Sequence, residues 1–175
     1  MIAATYTQHQ GYRIEERPIP EINEDELLVR VMTSSICGTD LRIIRNGHRK
    51  LRDGQSIVLG HEFAGVVDRR GARAPKVFEE GTRVGVAPNM GCGLCPLCAR
   101  GLYNMCPDYS AFGITLDGAH AEYVRIPAAA IAQGSVVPLP DAVSFTEATL
   151  IEPLSCAVNG NRSVNIGFGD VVLVF

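Results

Sequence analysis

Short apolar runs containing β-branched or aromatic residues mark the first two-thirds of the chain. Residues 2–6, 12–17 and 27–34 are of this kind, and Gly, Pro and acidic turns separate them. Residues 65–68, 83–87, 121–126 and 136–139 continue the pattern. Strands this short and closely spaced predict a mainly β domain with a few helices, a barrel or a sandwich, over a parallel βαβ sheet. There is no internal repeat and no low-complexity segment.

The pattern changes near residue 144. Ser144 followed by Glu147 matches a capping box, so a helical stretch is expected over 148–151. Pro153 suits the first turn of a second helix running towards Arg162. Gly169 and Asp170 then lead into the unbroken apolar run 171–175, which suits a strand buried on both faces of a parallel sheet. With no polar stop after it, this run reads as a cut strand, ordered by pairing with something else.

Composition narrows the class. The chain is 46% apolar and 20% charged, which is globular and excludes wholesale disorder. A net charge of −3 with mixed signs gives no electrostatic case for a nucleic-acid partner. No apolar run approaches the roughly 20 residues needed to span a bilayer. The N-terminus lacks the basic start and apolar core of a signal peptide, so the default address is cytoplasmic.

In a reducing compartment the cysteines carry the chemistry. Cys92, Cys95, Cys98 and Cys106 are spaced x2, x2 and x7. Clustered thiols of this kind read as metal ligands before they read as disulfides. Four thiolates suit a closed, tetrahedral structural zinc site, with Gly91, Gly93 and Gly101 supplying positive-φ freedom to the knuckle. An iron–sulfur cluster is the main competitor, but the x7 gap and the lack of a Cys-Pro ending argue against it.

Two further fragments gain meaning beside that knuckle: Cys37-Gly38-Thr39-Asp40 and Gly60-His61-Glu62. Together with Glu152-Pro153 and the run from Gly113 to Tyr123, the chain resembles the zinc-containing medium-chain dehydrogenases, especially the sorbitol, threonine and polyol branch. That resemblance implies a GroES-like β-barrel catalytic domain over residues 1–153, with a structural-zinc lobe at 88–108. It implies that residues 154–175 form a connecting helix and the first strand of a Rossmann domain for NAD or NADP. Cys37 and His61 look like ligands of a catalytic zinc, and the third ligand is open between Glu62, typical of the polyol branch, and Glu152. His61 and Glu62 can share one ion only if the backbone is irregular, which Gly60 permits. Thr39 matches the hydroxyl that takes the alcohol proton. Asp40 matches the carboxylate that orients the His ligand, with helix-turn capping as its plainer role.

The sequence departs from many relatives at Arg42, where they carry the outer His of a proton relay. Arg42 accepts no proton near neutral pH, so the relay must end in water or at His48. The basic stretch through Arg45, His48, Arg49, Lys50 and Arg52 reads as a solvated loop, with a phosphorylated or carboxylated substrate as the alternative. His120 reads as a surface or packing residue and Cys156 as a buried core thiol. The functional expectation is oxidation of a secondary alcohol, polyol or amino alcohol with NAD(P), in a parent that is a homo-oligomer. This length of chain alone is expected to be inactive. The alternative is a non-catalytic, zinc-stabilised GroES-like binding module.

Overall fold

The computed structural model describes residues 1–164 and 166–173. Strands β1 (Ile2–Thr7), β2 (Gly11–Glu16) and β4 (Ser56–Val58) form a three-stranded antiparallel sheet in the order β2-β1-β4. A five-stranded antiparallel sheet follows the order β10-β6-β5-β3-β9. Its strands are β3 (Leu27–Ser35), β5 (Glu62–Arg70), β6 (Arg83–Val86), β9 (Tyr123–Ile126) and β10 (Val136–Pro138). A small ribbon pairs β7 (Asn89–Met90) with β8 (Ser110–Ala111).

Residues 118–122 tie the two large sheets together. Ala4 donates its amide to the His120 carbonyl at 2.7 Å, and Val31 donates to that of Glu122 at 2.9 Å. The segment then runs into β9, which pairs with β3. Apolar residues from the facing strands meet inside: Leu27, Val29, Phe63, Val84 and Ile126 are all buried. Phe63 meets Phe112 edge to face, centroids 5.7 Å apart at 86°, a geometry aromatic quadrupoles favour. A second core of Tyr6, Ile43, Leu51, Ile57 and Leu59 packs helix α1 (Gly38–Asn46) against the smaller sheet.

Several boundaries differ from the sequence expectation. Helices α1 and α2 (Ala128–Ala132) occupy stretches read without helix. The Ser144 cap is present, but the turn it starts, α3 (Phe145–Ala148), lies immediately after it and not at 148–151. The long helix α4 (Ile151–Ser163) carries Pro153 in its first turn, where no intrahelical donor is lost. None of its residues is buried. Cys156 is therefore exposed, not a core thiol, because α4 has nothing against its outer face among the described residues. Residues 171–173 form no strand and lie exposed; a buried-type strand needs a sheet to join, and no described strand pairs with them. Val174 and Phe175 lie outside the described residues. No described helix is long and apolar enough to cross a membrane.

Candidate metal centres

The cysteine lobe is held between the β7–β8 ribbon and two turns of 3₁₀ helix, Cys98–Arg100 and Tyr103–Met105. Cys95 Sγ lies 3.5 Å from Cys98 Sγ and 3.8 Å from Cys106 Sγ, and Cys92 Sγ lies 3.9 Å from Cys98 Sγ. Four sulfurs each about 2.3 Å from a central zinc would stand about 3.8 Å apart, so the thiols already outline that tetrahedron. Backbone amides of Leu94 and Cys95 draw the Cys92 thiol down to about 7, whereas burial pushes Cys98 up to about 12. Thiols this close ionise together only around a cation. The glycines serve two purposes. Gly93 and Gly101 have positive φ, but Gly91 does not; its hydrogen is needed because a Cβ would stand 2.4 Å from Cys98 Sγ. The Gln133 amide also braces Gly91, a contact invisible in the sequence.

The second cluster forms where β3 ends beside the start of β5. Ser35 pairs with Glu62 across the ladder, so Cys37, two residues on, arrives beside His61 and Glu62. Donor atoms of Cys37, His61 and Glu62 all lie within 4.8 Å of one another, and both His61 and Glu62 are buried. Neighbours on a regular strand point to opposite faces. Gly60, at φ 93°, breaks that regularity just before His61. The Ser35 hydroxyl donates to Glu62 Oε2 and leaves its other oxygen available. Glu152, in the first turn of α4, stands outside this group of three, although its charge is felt at His61.

Asp40 lies directly behind the cluster. It is 1% exposed, and its Oδ1 faces His61 Nδ1 at 3.6 Å, which leaves Nε2 for the other side of the ring. Its Oδ2 accepts from the Cys37 amide at 2.9 Å, so capping of α1 and support of His61 come from one carboxylate. Burial alone would raise its pKa, but the imidazoles of His120 and His61 and the Cys37 amide hold it well below the usual carboxylate range. Burial alone would lower that of His61; the nearby Asp40 carboxylate, with the charges of Glu152 and Glu62, holds it above the ordinary imidazole value. His61 Nδ1 is buried without a hydrogen-bond partner within range, as expected of a ring that tightens onto Asp40 when its other nitrogen is bound. A thiol, an imidazole and a carboxylate leaving one position open suit catalytic zinc.

Of the remaining candidates, Thr39 is half-buried in the first turn of α1 beside Asp40. His48 accepts the Lys50 amide at 3.2 Å. Burial and the charges of Arg42, Arg49 and Lys50 lower its pKa. His120, expected at the surface or in packing, is packed, and its neighbour is Asp40, with Nε2 3.6 Å from Oδ2. The small residues flanking it, Gly118, Ala119 and Ala121, were the available signal of close approach.

The antiparallel β scaffold thus carries two groups of side chains that could each hold a metal ion, one all-thiol and one mixed. The chain belongs to the alcohol dehydrogenase GroES-like domain family, which it matches over residues 23–141. It is 36% identical over 180 residues to the sorbitol dehydrogenase of Bacillus subtilis, covering 99% of this chain and 48% of that protein. It is also 36% identical over 160 residues to the D-altritol 5-dehydrogenase of Agrobacterium fabrum, covering 91% and 45%. Among solved structures, a candidate zinc-binding dehydrogenase from Sinorhizobium meliloti bound to NADP superposes with a TM-score of 0.80 at 31% identity, covering 93% and 45%. The chain spans about half the length of the curated relatives it matches.

Proposed function

We propose that residues 1–153 supply the metal and substrate side of a zinc-dependent dehydrogenase that oxidises a secondary alcohol, polyol or amino alcohol, using NAD or NADP. The observation that carries this reading is the convergence of Cys37, His61 and Glu62 donors within 4.8 Å, backed by Asp40. Zinc bound there would polarise the alcohol oxygen and lower its pKa, so that hydride can leave the carbinol carbon for the nicotinamide. Cys37, His61 and Glu62 hold the site, and Glu152 stands close enough to adjust its charge. Asp40 keeps His61 in the tautomer with Nδ1 protonated and Nε2 free to bind. Thr39 Oγ1 receives the alcohol proton and passes it to water, because Arg42 takes none. Cys92, Cys95, Cys98 and Cys106 hold a second zinc that shapes the lobe at 88–108 and takes no part in the reaction.

Residues 154–175 are proposed to connect to a nucleotide-binding domain, in a cytoplasmic homo-oligomer. Hydride acceptance belongs to that domain, so the isolated 175-residue chain is expected to show no turnover; a clear NAD-dependent rate from it would overturn this assignment. The reading as a whole is tested in the protein that carries the nucleotide-binding half. Cys37→Ser should abolish NAD(P)-linked polyol oxidation and remove one zinc while the four-cysteine zinc stays. An unchanged rate in Cys37→Ser would reject it.

A further inference from the structure

Asp40 is shared between two imidazoles. His61 faces Oδ1 and His120 faces Oδ2, each at 3.6 Å. His120 is itself built in: its amide donates to the Leu59 carbonyl at 2.9 Å, and its own carbonyl accepts from Ala4 at 2.7 Å. Its Nδ1 lies 3.0 Å from the Ser34 hydroxyl. The ring fills the space of a Gly60 side chain, since a Cβ there would stand 2.6 Å from Nδ1. On the other side, Tyr12, Ile36, Leu41, Ile44 and Leu59 line a small, mostly apolar cavity of about 120 Å³.

A neutral imidazole has one donor and one acceptor. In the tautomer where the Ser34 hydroxyl donates to Nδ1, the donor of His120 is Nε2–H, which stands 3.6 Å from Asp40 Oδ2, just beyond hydrogen-bond range. One carboxylate then stands between two rings: the Cys37 amide at 2.9 Å and the Gly60 amide at 3.3 Å hold it from the backbone, and His120 adds a side-chain partner on the oxygen away from His61. We propose that His120 is a positioning residue of the Cys37–His61–Glu62 metal pocket, acting through Asp40 and itself set by Ser34. This rests on the reading of that pocket as a zinc site.

The test uses cobalt(II) as the probe, because its visible spectrum reports the mixed pocket and the all-thiol pocket separately. His120→Phe should weaken cobalt at the mixed pocket by about 10- to 100-fold in chelator competition, the range found when partners of metal ligands are removed. Cobalt at the four cysteines should be unchanged, which also shows that the variant folds. His120→Gln, which can still donate, should recover part of the loss. In the unaltered protein, metal loading should move the ring-nitrogen NMR signals of His120 as well as those of His61. Unaltered affinity in His120→Phe, or static His120 signals in the parent on loading, overturns the proposal while leaving the zinc-site reading intact. A parent protein that takes no cobalt at the mixed pocket overturns both.

Discussion

The side-chain amide of Gln133 makes two hydrogen bonds to the single residue Gly91: its Oε1 accepts from the Gly91 amide and its Nε2 donates to the Gly91 carbonyl, each at 2.9 Å. Gln133 closes α2, and Gly91 opens the cysteine knuckle. The lobe is therefore latched to the barrel from outside its own loop. Gln133→Ala removes both bonds and should destabilise the chain by about 1–3 kcal/mol. Thermal unfolding and the rate at which a chelator strips the lobe's zinc measure this. An unchanged release rate would mean that the metal alone shapes the knuckle.

The metal-free Cys37 pocket should respond to pH in a defined way. Asp40 has a folded pKa below its ordinary 3.8, so its contribution to stability is in place above that value and is lost as pH falls through the lower folded one. His61 has a folded pKa above 6.5, so its contribution is complete below 6.5 and is lost as pH rises through the higher folded value. Urea unfolding of the apo chain should show both limbs, and Asp40→Asn should flatten them. Metal reverses the upper limb, because it displaces the His61 proton and binds better as pH rises.

Gly60 carries two demands at once. Gly60→Ala would force a methyl against the His120 ring, 2.6 Å from Nδ1, in a backbone at φ 93°. The strain should cost about 1–3 kcal/mol. Metal at Cys37, His61 and Glu62 should be lost before metal at the four cysteines, as zinc counts on the purified variant would reveal. Equal loss at both pockets would contradict the local role given to Gly60.

Cys156 offers a check on the corrected reading of α4. It is exposed, and its thiol lies 3.6 Å from Glu152 Oε1. Cys156→Ser should therefore shift stability by no more than about 0.5 kcal/mol in the 175-residue chain. Alkylation of the parent thiol should be easy to reach but need a more alkaline pH than an ordinary thiol, because partial burial and the charge of Glu152 raise its pKa. A cost of several kcal/mol would place it back in a core.

The strands were legible in the sequence where β-branched runs stand between turn residues: β1, β2, β3, β5, β6, β9 and β10 fall close to their expected places. Strand β4 was not, because its three residues are too short a run to signal and are fixed by distant partners, β1 and the Asp117 carboxylate that accepts from the Val58 amide across 59 positions. Helix α1 was hidden for a similar reason, since its short apolar face is anchored by Ile43 in a core that tertiary packing supplies. The metal clusters were legible as motifs because ligand chemistry restricts residue type and spacing together. What lies behind the ligands was not. Asp40 could be placed near His61, but His120, 80 residues further along, shares its carboxylate only through the folded path of residues 118–122. Cys156 and residues 171–173 read as buried because apolar and thiol side chains usually are, whereas burial depends on a partner surface.

Zinc content of the purified chain, measured by elemental analysis before and after mild chelation, tests the central claim most directly. Two zinc ions per chain are expected, with the one at Cys37, His61 and Glu62 removed by mild chelation and the one at the four cysteines retained. A chain that binds no zinc, or that loses neither or both under mild chelation, would contradict the assignment of one open and one closed metal site.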